Sequence, residues 1–176
     1  MALELRQRYG LDPAQIASVR IETPVRPHTD RGAPHTGLEG KFSFQYTVAA
    51  ALLDGRIDME TFTDPQVRRP EIAGLLAKTQ LHMDPKIPSN FDEMRTTVSV
   101  QLRDGQAYSV RCDRPRGVWG NPLSREERLT KVRQCAARVL PEADIERMIA
   151  IVEDLEHASS QDMLTLMGLL AQSPAS

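Results

Sequence analysis

The chain has 176 residues, of which 40% are hydrophobic, 26% charged and 5% aromatic, and its formal net charge is −2. The apolar content is sufficient for a packed core and excludes a chain that is disordered throughout. The balanced charge does not favour nucleic-acid binding, and no apolar run is long enough to span a bilayer. Because the N-terminus has no signal-peptide pattern, we expect a cytoplasmic protein that binds neither nucleic acid nor membrane.

The N-terminal part of the chain predicts a helix end, a strand and a long loop. Residues 2–9 favour the last turns of a helix that ends at Gly10. Residues 16–23 alternate between apolar and polar side chains, as a half-buried strand does. Prolines and glycines mark residues 24–38 as a loop, and ordered loops of this length are more often functional than decorative.

Residues 40–55 predict a single helix that ends at Gly55. Its first half is polar, whereas its second half is apolar on every side, which is typical of a buried helix. The chain has eight aromatic residues, and three of them fall within the five positions 42–46 of this segment: Phe42, Phe44 and Tyr46.

The remaining pattern predicts further short helices, a hairpin and a helical C-terminus. The predicted elements are helices over 58–63 and 70–78, a strand over 79–83, a hairpin of 94–102 with 106–112 around Asp104-Gly105, and helices over 124–140, 142–155 and 161–170. The predicted fold class is α+β, with a small antiparallel sheet and packed helices followed by an all-α C-terminal segment.

Tyr46 is the first candidate for chemistry. A phenol is a neutral hydrogen-bond donor near pH 7, suited to a carboxylate or enolate oxygen. The alternative is a core tyrosine whose hydroxyl binds a backbone carbonyl. Lys41 and Ser43 lie just before Tyr46 and form a candidate anion site at a helix N-terminus. Their alternative roles are a solvated lysine and a capping serine.

Other polar residues carry weaker signals. His28 and His35 lie in the long loop, where a base, a metal ligand or simple exposure are all open. Arg114, Arg116 and Trp119 are a candidate anion clamp, or solvated residues of a loop. The sequence has no nucleotide-binding glycine loop and no Cys-x-x-Cys pair, so we expect no cofactor and no metal.

The segment TGLEGKFSFQYTVAAALLDG at residues 36–55 resembles the MmgE/PrpD family, which includes 2-methylcitrate dehydratase, cis-aconitate decarboxylase and iminodisuccinate epimerase. Residues 69–72, the hairpin around Asp104-Gly105, and residues 120–124 followed by Lys131 also resemble motifs of that family. The resemblance covers the C-terminal part of a family member. Within this chain, the resemblance spans nearly the whole length.

The resemblance implies a domain organisation. Family members are much longer and combine a large helical domain with an α+β lid domain. Residues 1–10 are then the end of a helix from the helical domain, and residues 11–115 are the lid. Residues 116–176 are helices that return to the helical domain.

The resemblance also implies a lyase that acts on small polycarboxylates. The implied chemistry is removal of a proton α to a carboxylate with loss of water, as in 2-methylcitrate dehydratase, or a related decarboxylation or epimerisation. Tyr46 matches the active-site tyrosine of the family and is the implied catalytic residue, while Lys41 and Ser43 are implied substrate-binding residues. Because most acid–base residues of the family come from its helical domain, the chain alone is predicted to be inactive.

A second hypothesis is a non-catalytic interaction module. Such a module would pair with a separately encoded helical partner or with itself as a homo-oligomer. It would expose apolar helix faces, and the candidates are residues 148–152 and 164–170.

Overall fold

A computed structural model describes residues 1–172. These residues divide into two compact units, Met1–Pro122 and a second that begins at Leu123. We call them the sheet unit and the helical unit. None of the helices within residues 1–172 is long and apolar enough to cross a membrane.

The sheet unit combines five helices with four strands within the described residues. They are α1 (Ala2–Tyr9), β1 (Ile16–Thr23), α2 (Gly37–Lys41), α3 (Phe44–Asp54), α4 (Asp64–Val67), α5 (Pro70–Leu76), β2 (Thr79–Met83), β3 (Thr96–Leu102) and β4 (Ala107–Cys112). The predicted α+β class is confirmed.

The sheet has the order β2-β1-β3-β4, and it is mixed. Strand β1 runs antiparallel to β3, and β3 runs antiparallel to β4, as the predicted hairpin requires. Strand β2, however, runs parallel to β1. The expectation of a wholly antiparallel sheet is wrong at this pair, because helices α2 to α5 form a crossover that returns the chain in the same direction.

Helix α3 packs against the sheet and forms the centre of the main core. Val19 and Ile21 of β1 and Val98 and Val100 of β3 alternate onto the buried face, where Leu52 of α3 joins them. The other face of β1 carries polar side chains. The sequence alternation therefore predicts the buried face of these strands correctly.

The single helix predicted over residues 40–55 is wrong at its start. Helix α2 ends at Lys41, and Ser43 then caps a new helix, α3, by accepting a hydrogen bond from the Tyr46 amide at 3.0 Å. A serine side chain satisfies one of the free amides at a helix start, so it favours a break at this point. The helix predicted over residues 58–63 is also shorter, a single 3₁₀ turn at Glu60–Phe62.

The helical unit contains α6 (Arg125–Ala136), α7 (Glu142–Glu153) and α8 (Ser160–Leu170). Ser124 and Glu127 form the predicted capping box at the start of α6. The core of the helical unit is formed by Leu129, Leu140, Ile145, Met148, Ile149, Ile151, Leu166 and Leu169. Across the surface, Arg125 pairs with Glu153 and Arg133 with Glu146, which ties α6 to α7.

Candidate functional site

The motif at residues 36–46 begins with a tightly packed α2. Thr36 and Glu39 cap its N-terminus reciprocally, and the Gly37 amide donates to Asp64 Oδ1 at 2.8 Å. A Cβ atom at Gly37 would lie 1.9 Å from the carbonyl oxygen of Phe62. Residue 37 therefore has to be glycine, and the motif fixes α2 against the segment that contains Phe62.

The second glycine of the motif lies against Tyr46. A Cβ atom at Gly40 would lie 3.0 Å from two carbon atoms of the tyrosine ring. The same ring packs among Ala50, Val67 and Ile72, and Phe62 lies beside it at a centroid distance of 6.1 Å. The buried ring of Tyr46 thus leaves little room for a side chain at residue 40.

Tyr46 is fully buried, and its hydroxyl donates to the backbone carbonyl of Thr61. Burial raises the pKa of the Tyr46 phenol above its ordinary value of 10.0, so the group is a neutral donor at physiological pH. This is the geometry of the core tyrosine considered as the alternative. The catalytic role of Tyr46 stays a prediction, and what the structure shows is a packing role.

Ser43 is also buried, with 1% of its surface exposed. Its hydroxyl accepts from the Tyr46 amide and donates to the Arg31 carbonyl at 2.6 Å. Ser43 thereby ties the long loop to the start of α3, and Gln45 adds a hydrogen bond to Asp30 at 2.6 Å. The predicted substrate-binding role of Ser43 stays a prediction, and the structure shows the capping role.

Lys41 is exposed, and its ammonium lies over the ring of Phe62 at 6.0 Å from the centroid. A lysine in this position can attract a carboxylate while the ring restrains its long side chain. Phe62 is therefore a neighbour of both Lys41 and Tyr46. Nothing in the sequence around Phe62 indicates this, because the contact depends on how α2 and α3 pack.

The sequence predicts a helix over residues 58–63, but it does not indicate the side-chain hydrogen bonds of the 3₁₀ turn that carries Thr61. Asp58 Oδ1 accepts from the Thr61 amide at 3.0 Å and from its hydroxyl at 3.1 Å. The Thr61 amide is the main reason that the pKa of Asp58 is lowered. The carbonyl that holds Tyr46 therefore belongs to a turn that a carboxylate stabilises.

At the C-terminal end of α3, Asp54 forms a bidentate ion pair with Arg69. The Arg69 guanidinium donates to both oxygens of Asp54, at 3.0 and 2.6 Å. This hydrogen bonding raises the pKa of Arg69. The two charges also act on the pKa of Tyr46, which Arg69 lowers and Asp54 raises. From α1, Arg6 donates to the carbonyls of Leu52 and Leu53 and satisfies the last turn of the helix.

The remaining candidates from the sequence do not join this site. His28 and His35 are exposed, and the backbone of His35 bonds to Glu39 and Arg68. Trp119 is 92% exposed in a short turn. Within residues 1–172, no three His, Cys, Asp or Glu residues are grouped so that they could hold a metal ion.

Comparison with known proteins gives two kinds of match. The family model for the MmgE/PrpD C-terminal domain matches residues 1–157. Cis-aconitate decarboxylase of Mus musculus is 35% identical over 170 residues, and that of Homo sapiens is 33% identical over 161 residues. The alignments cover 95% and 92% of this chain but only 35% and 34% of those relatives.

The chain thus spans about a third of the length of the two decarboxylases. The family match covers the whole sheet unit, including the motif at residues 36–46, together with α6 and α7, and it ends before α8. The chain therefore belongs to the MmgE/PrpD family and corresponds to its C-terminal domain.

Proposed function

We propose that this chain supplies the lid of a lyase that acts on small polycarboxylates. The observation that carries the proposal is the match to cis-aconitate decarboxylase of Mus musculus over 95% of the chain. A lyase of this class removes a group from a carbon next to a carboxylate, so it needs cations and neutral donors around the carboxylates. The surface near residues 36–46 carries one such cation in Lys41.

The proposed roles follow from the geometry. Lys41 offsets the charge of a substrate carboxylate, because its ammonium is exposed and its side chain is restrained on Phe62. Tyr46 contributes a neutral phenol that donates to a carboxylate or to the enediolate, which forms when the α-proton leaves in a dehydration or when CO₂ leaves in a decarboxylation. For that step the hydroxyl must exchange the Thr61 carbonyl for the substrate. Ser43 holds α3 and the long loop in place around the two.

The proposed reaction is either decarboxylation of cis-aconitate or dehydration of 2-methylcitrate. The two relatives named for decarboxylation favour cis-aconitate as the first substrate to test. We propose further that the chain is inactive alone, since its share of the site supplies a cation and a donor. The base that removes the proton in the dehydration, or the acid that protonates carbon in the decarboxylation, comes from a helical domain.

The experiment compares two proteins with both substrates. One is the purified chain, and the other is a chimera in which this chain replaces the matching segment of the Mus musculus decarboxylase. We expect product from cis-aconitate with the chimera and none with the chain alone, as measured by NMR of the reaction mixture. A folded chimera that turns over neither substrate contradicts the proposal, and turnover by the chain alone contradicts its inactivity.

A second candidate function is an interaction module, and one observation favours it. Leu164, Met167 and Leu170 of α8 are 63%, 65% and 67% exposed, and their spacing places them along one side of the helix. We call them the α8 stripe. Their neighbours Leu166 and Leu169 are buried, as are Met148, Ile149 and Ile151 of α7, so only part of the predicted apolar faces is exposed. The α8 stripe is a surface for a helical partner or a second copy.

A further inference from the structure

Residues 58–63 contact both of the side chains to which the proposed function gives a polar role. The carbonyl of Thr61 accepts the hydroxyl of Tyr46. The ring of Phe62 lies beside the Tyr46 ring at 6.1 Å and under the Lys41 ammonium at 6.0 Å. We call residues 58–63 the positioning turn. It joins two side chains that otherwise belong to different helical segments.

The positioning turn is closed by hydrogen bonds within it and packs closely against α2. At its start, Asp58 accepts two hydrogen bonds from Thr61, and the Thr61 hydroxyl in turn accepts from the Asp58 amide at 3.1 Å. Near its end, the Phe62 carbonyl lies so close to Gly37 that the space admits no side chain there. The turn therefore has little freedom to move relative to α2.

Lys41 and Tyr46 need such a support for different reasons. A lysine side chain has four rotatable carbon–carbon bonds, and an exposed ammonium samples many positions unless a partner restrains it. A phenol hydroxyl turns about its C–O bond between two preferred positions in the ring plane, and its direction follows the acceptor that it finds. Phe62 supplies the first restraint. The Thr61 carbonyl supplies the second until a substrate replaces it as the acceptor of the Tyr46 hydroxyl.

We propose that the positioning turn sets the placement of Lys41 and Tyr46 relative to each other, with Asp58 and Phe62 as its positioning residues. The inference rests on the proposed function, which makes the two side chains act on one polycarboxylate. Asp58 acts through the Thr61 carbonyl on the Tyr46 hydroxyl. Phe62 acts directly on the Lys41 ammonium. Neither residue is assigned a contact with substrate.

The first arm of the test follows the Tyr46 hydroxyl by NMR of the whole chain with ¹³C at the tyrosine Cζ atoms. The chain has three tyrosines, and Tyr46→Phe assigns the resonance of interest. We expect Asp58→Ala to move the Tyr46 titration towards the pH range of an exposed tyrosine. Asp58→Asn keeps the Oδ1 acceptor and should restore the wild-type curve. Asp104→Ala is the control, because Asp104 caps a turn in the β3–β4 hairpin in a similar way.

The second arm follows Lys41 through the ring-current shift of its ε-CH₂ group. Phe62→Leu keeps an apolar side chain but removes the ring, so the shift should disappear. Phe91→Leu removes an exposed ring elsewhere and should leave the shift unchanged. This arm stands even where Asp58→Ala fails to fold.

The two arms decide the inference without an activity assay. A folded Asp58→Ala chain with the wild-type Tyr46 titration overturns the role of Asp58. A Lys41 shift that survives Phe62→Leu overturns the role of Phe62. Because both signals come from the chain itself, they separate failure of this inference from failure of the proposed lyase function. The latter would leave both signals as expected and abolish turnover in the chimera.

Discussion

The hydroxyl of Tyr46 donates a hydrogen bond to the backbone carbonyl of Thr61, fifteen positions along the chain, and both groups are buried. This contact joins α3 to the segment that precedes α4. It also makes the family tyrosine part of the core of the sheet unit. The predictions below separate this packing role from the chemistry that the family match suggests.

Tyr46→Phe should destabilise the sheet unit by about 1–2 kcal/mol, because it leaves the buried Thr61 carbonyl without a partner. Urea denaturation followed by circular dichroism measures the change. The control is Tyr108→Phe, which removes a hydroxyl that donates to Gln106 at the surface and should cost less than about 0.5 kcal/mol. Equal losses in the two variants would show that the Tyr46 hydroxyl contributes nothing specific.

Two glycine substitutions should act in opposite directions. Gly37→Ala places a methyl group 1.9 Å from the Phe62 carbonyl and should cost about 3 kcal/mol. Gly74→Ala adds a methyl group to an exposed position of α5 with no atom within 4 Å, and it should stabilise by about 0.5–1 kcal/mol. Thermal unfolding of both variants beside the wild type tests the close approach of α2 to Phe62, and a neutral Gly37→Ala would contradict it.

The stability of the sheet unit should fall in acid partly through Asp58. Its carboxylate accepts hydrogen bonds from Thr61, so the folded protein lowers its pKa from 3.8. A carboxyl with a lowered pKa stabilises the fold above its unfolded pKa, and this contribution is lost as the pH falls through the folded value. Asp58→Asn should therefore flatten the acid limb of a plot of urea midpoint against pH. An acid limb as steep as that of the wild type contradicts the assignment.

The α8 stripe should drive association of the chain. Leu164→Glu with Met167→Glu places two charges on it and should shift the mass measured by light scattering towards the monomer. A matched control adds the same two charges as Gln161→Glu with Gln172→Glu, at exposed positions off the stripe. A wild-type chain that is monomeric at all concentrations argues against the stripe as a surface for a second copy.

Local patterns predicted much of this fold because the elements concerned carry their own signals. Val98 and Val100 alternate with polar residues, so β3 and its buried face follow from the sequence. Ser124 and Glu127 form a capping box, which is a local signal that predicts the start of α6. The parallel pairing of β2 was not predictable, because it depends on how four intervening helices fold back and not on the residues of β2 itself.

Local sequence signals likewise predict only some residues of the candidate site. The motif indicates Lys41, Ser43 and Tyr46, and the structure places them around the break between α2 and α3. It did not give Phe62 or Asp58, because their contacts cross between segments that are adjacent only after folding. The break between α2 and α3 was also missed, since the helix-favouring residues after Ser43 outweighed its capping signal.

The most direct measurement of the central proposal is the kcat/KM of the chimera for cis-aconitate with and without Lys41→Ala. The proposal predicts a loss of about tenfold or more, because the ammonium offsets charge on the substrate and on the transition state. Lys86→Ala, which removes another exposed lysine, should leave kcat/KM unchanged. A Lys41→Ala chimera as active as the Lys86→Ala control would contradict the placement of the substrate beside residues 36–46.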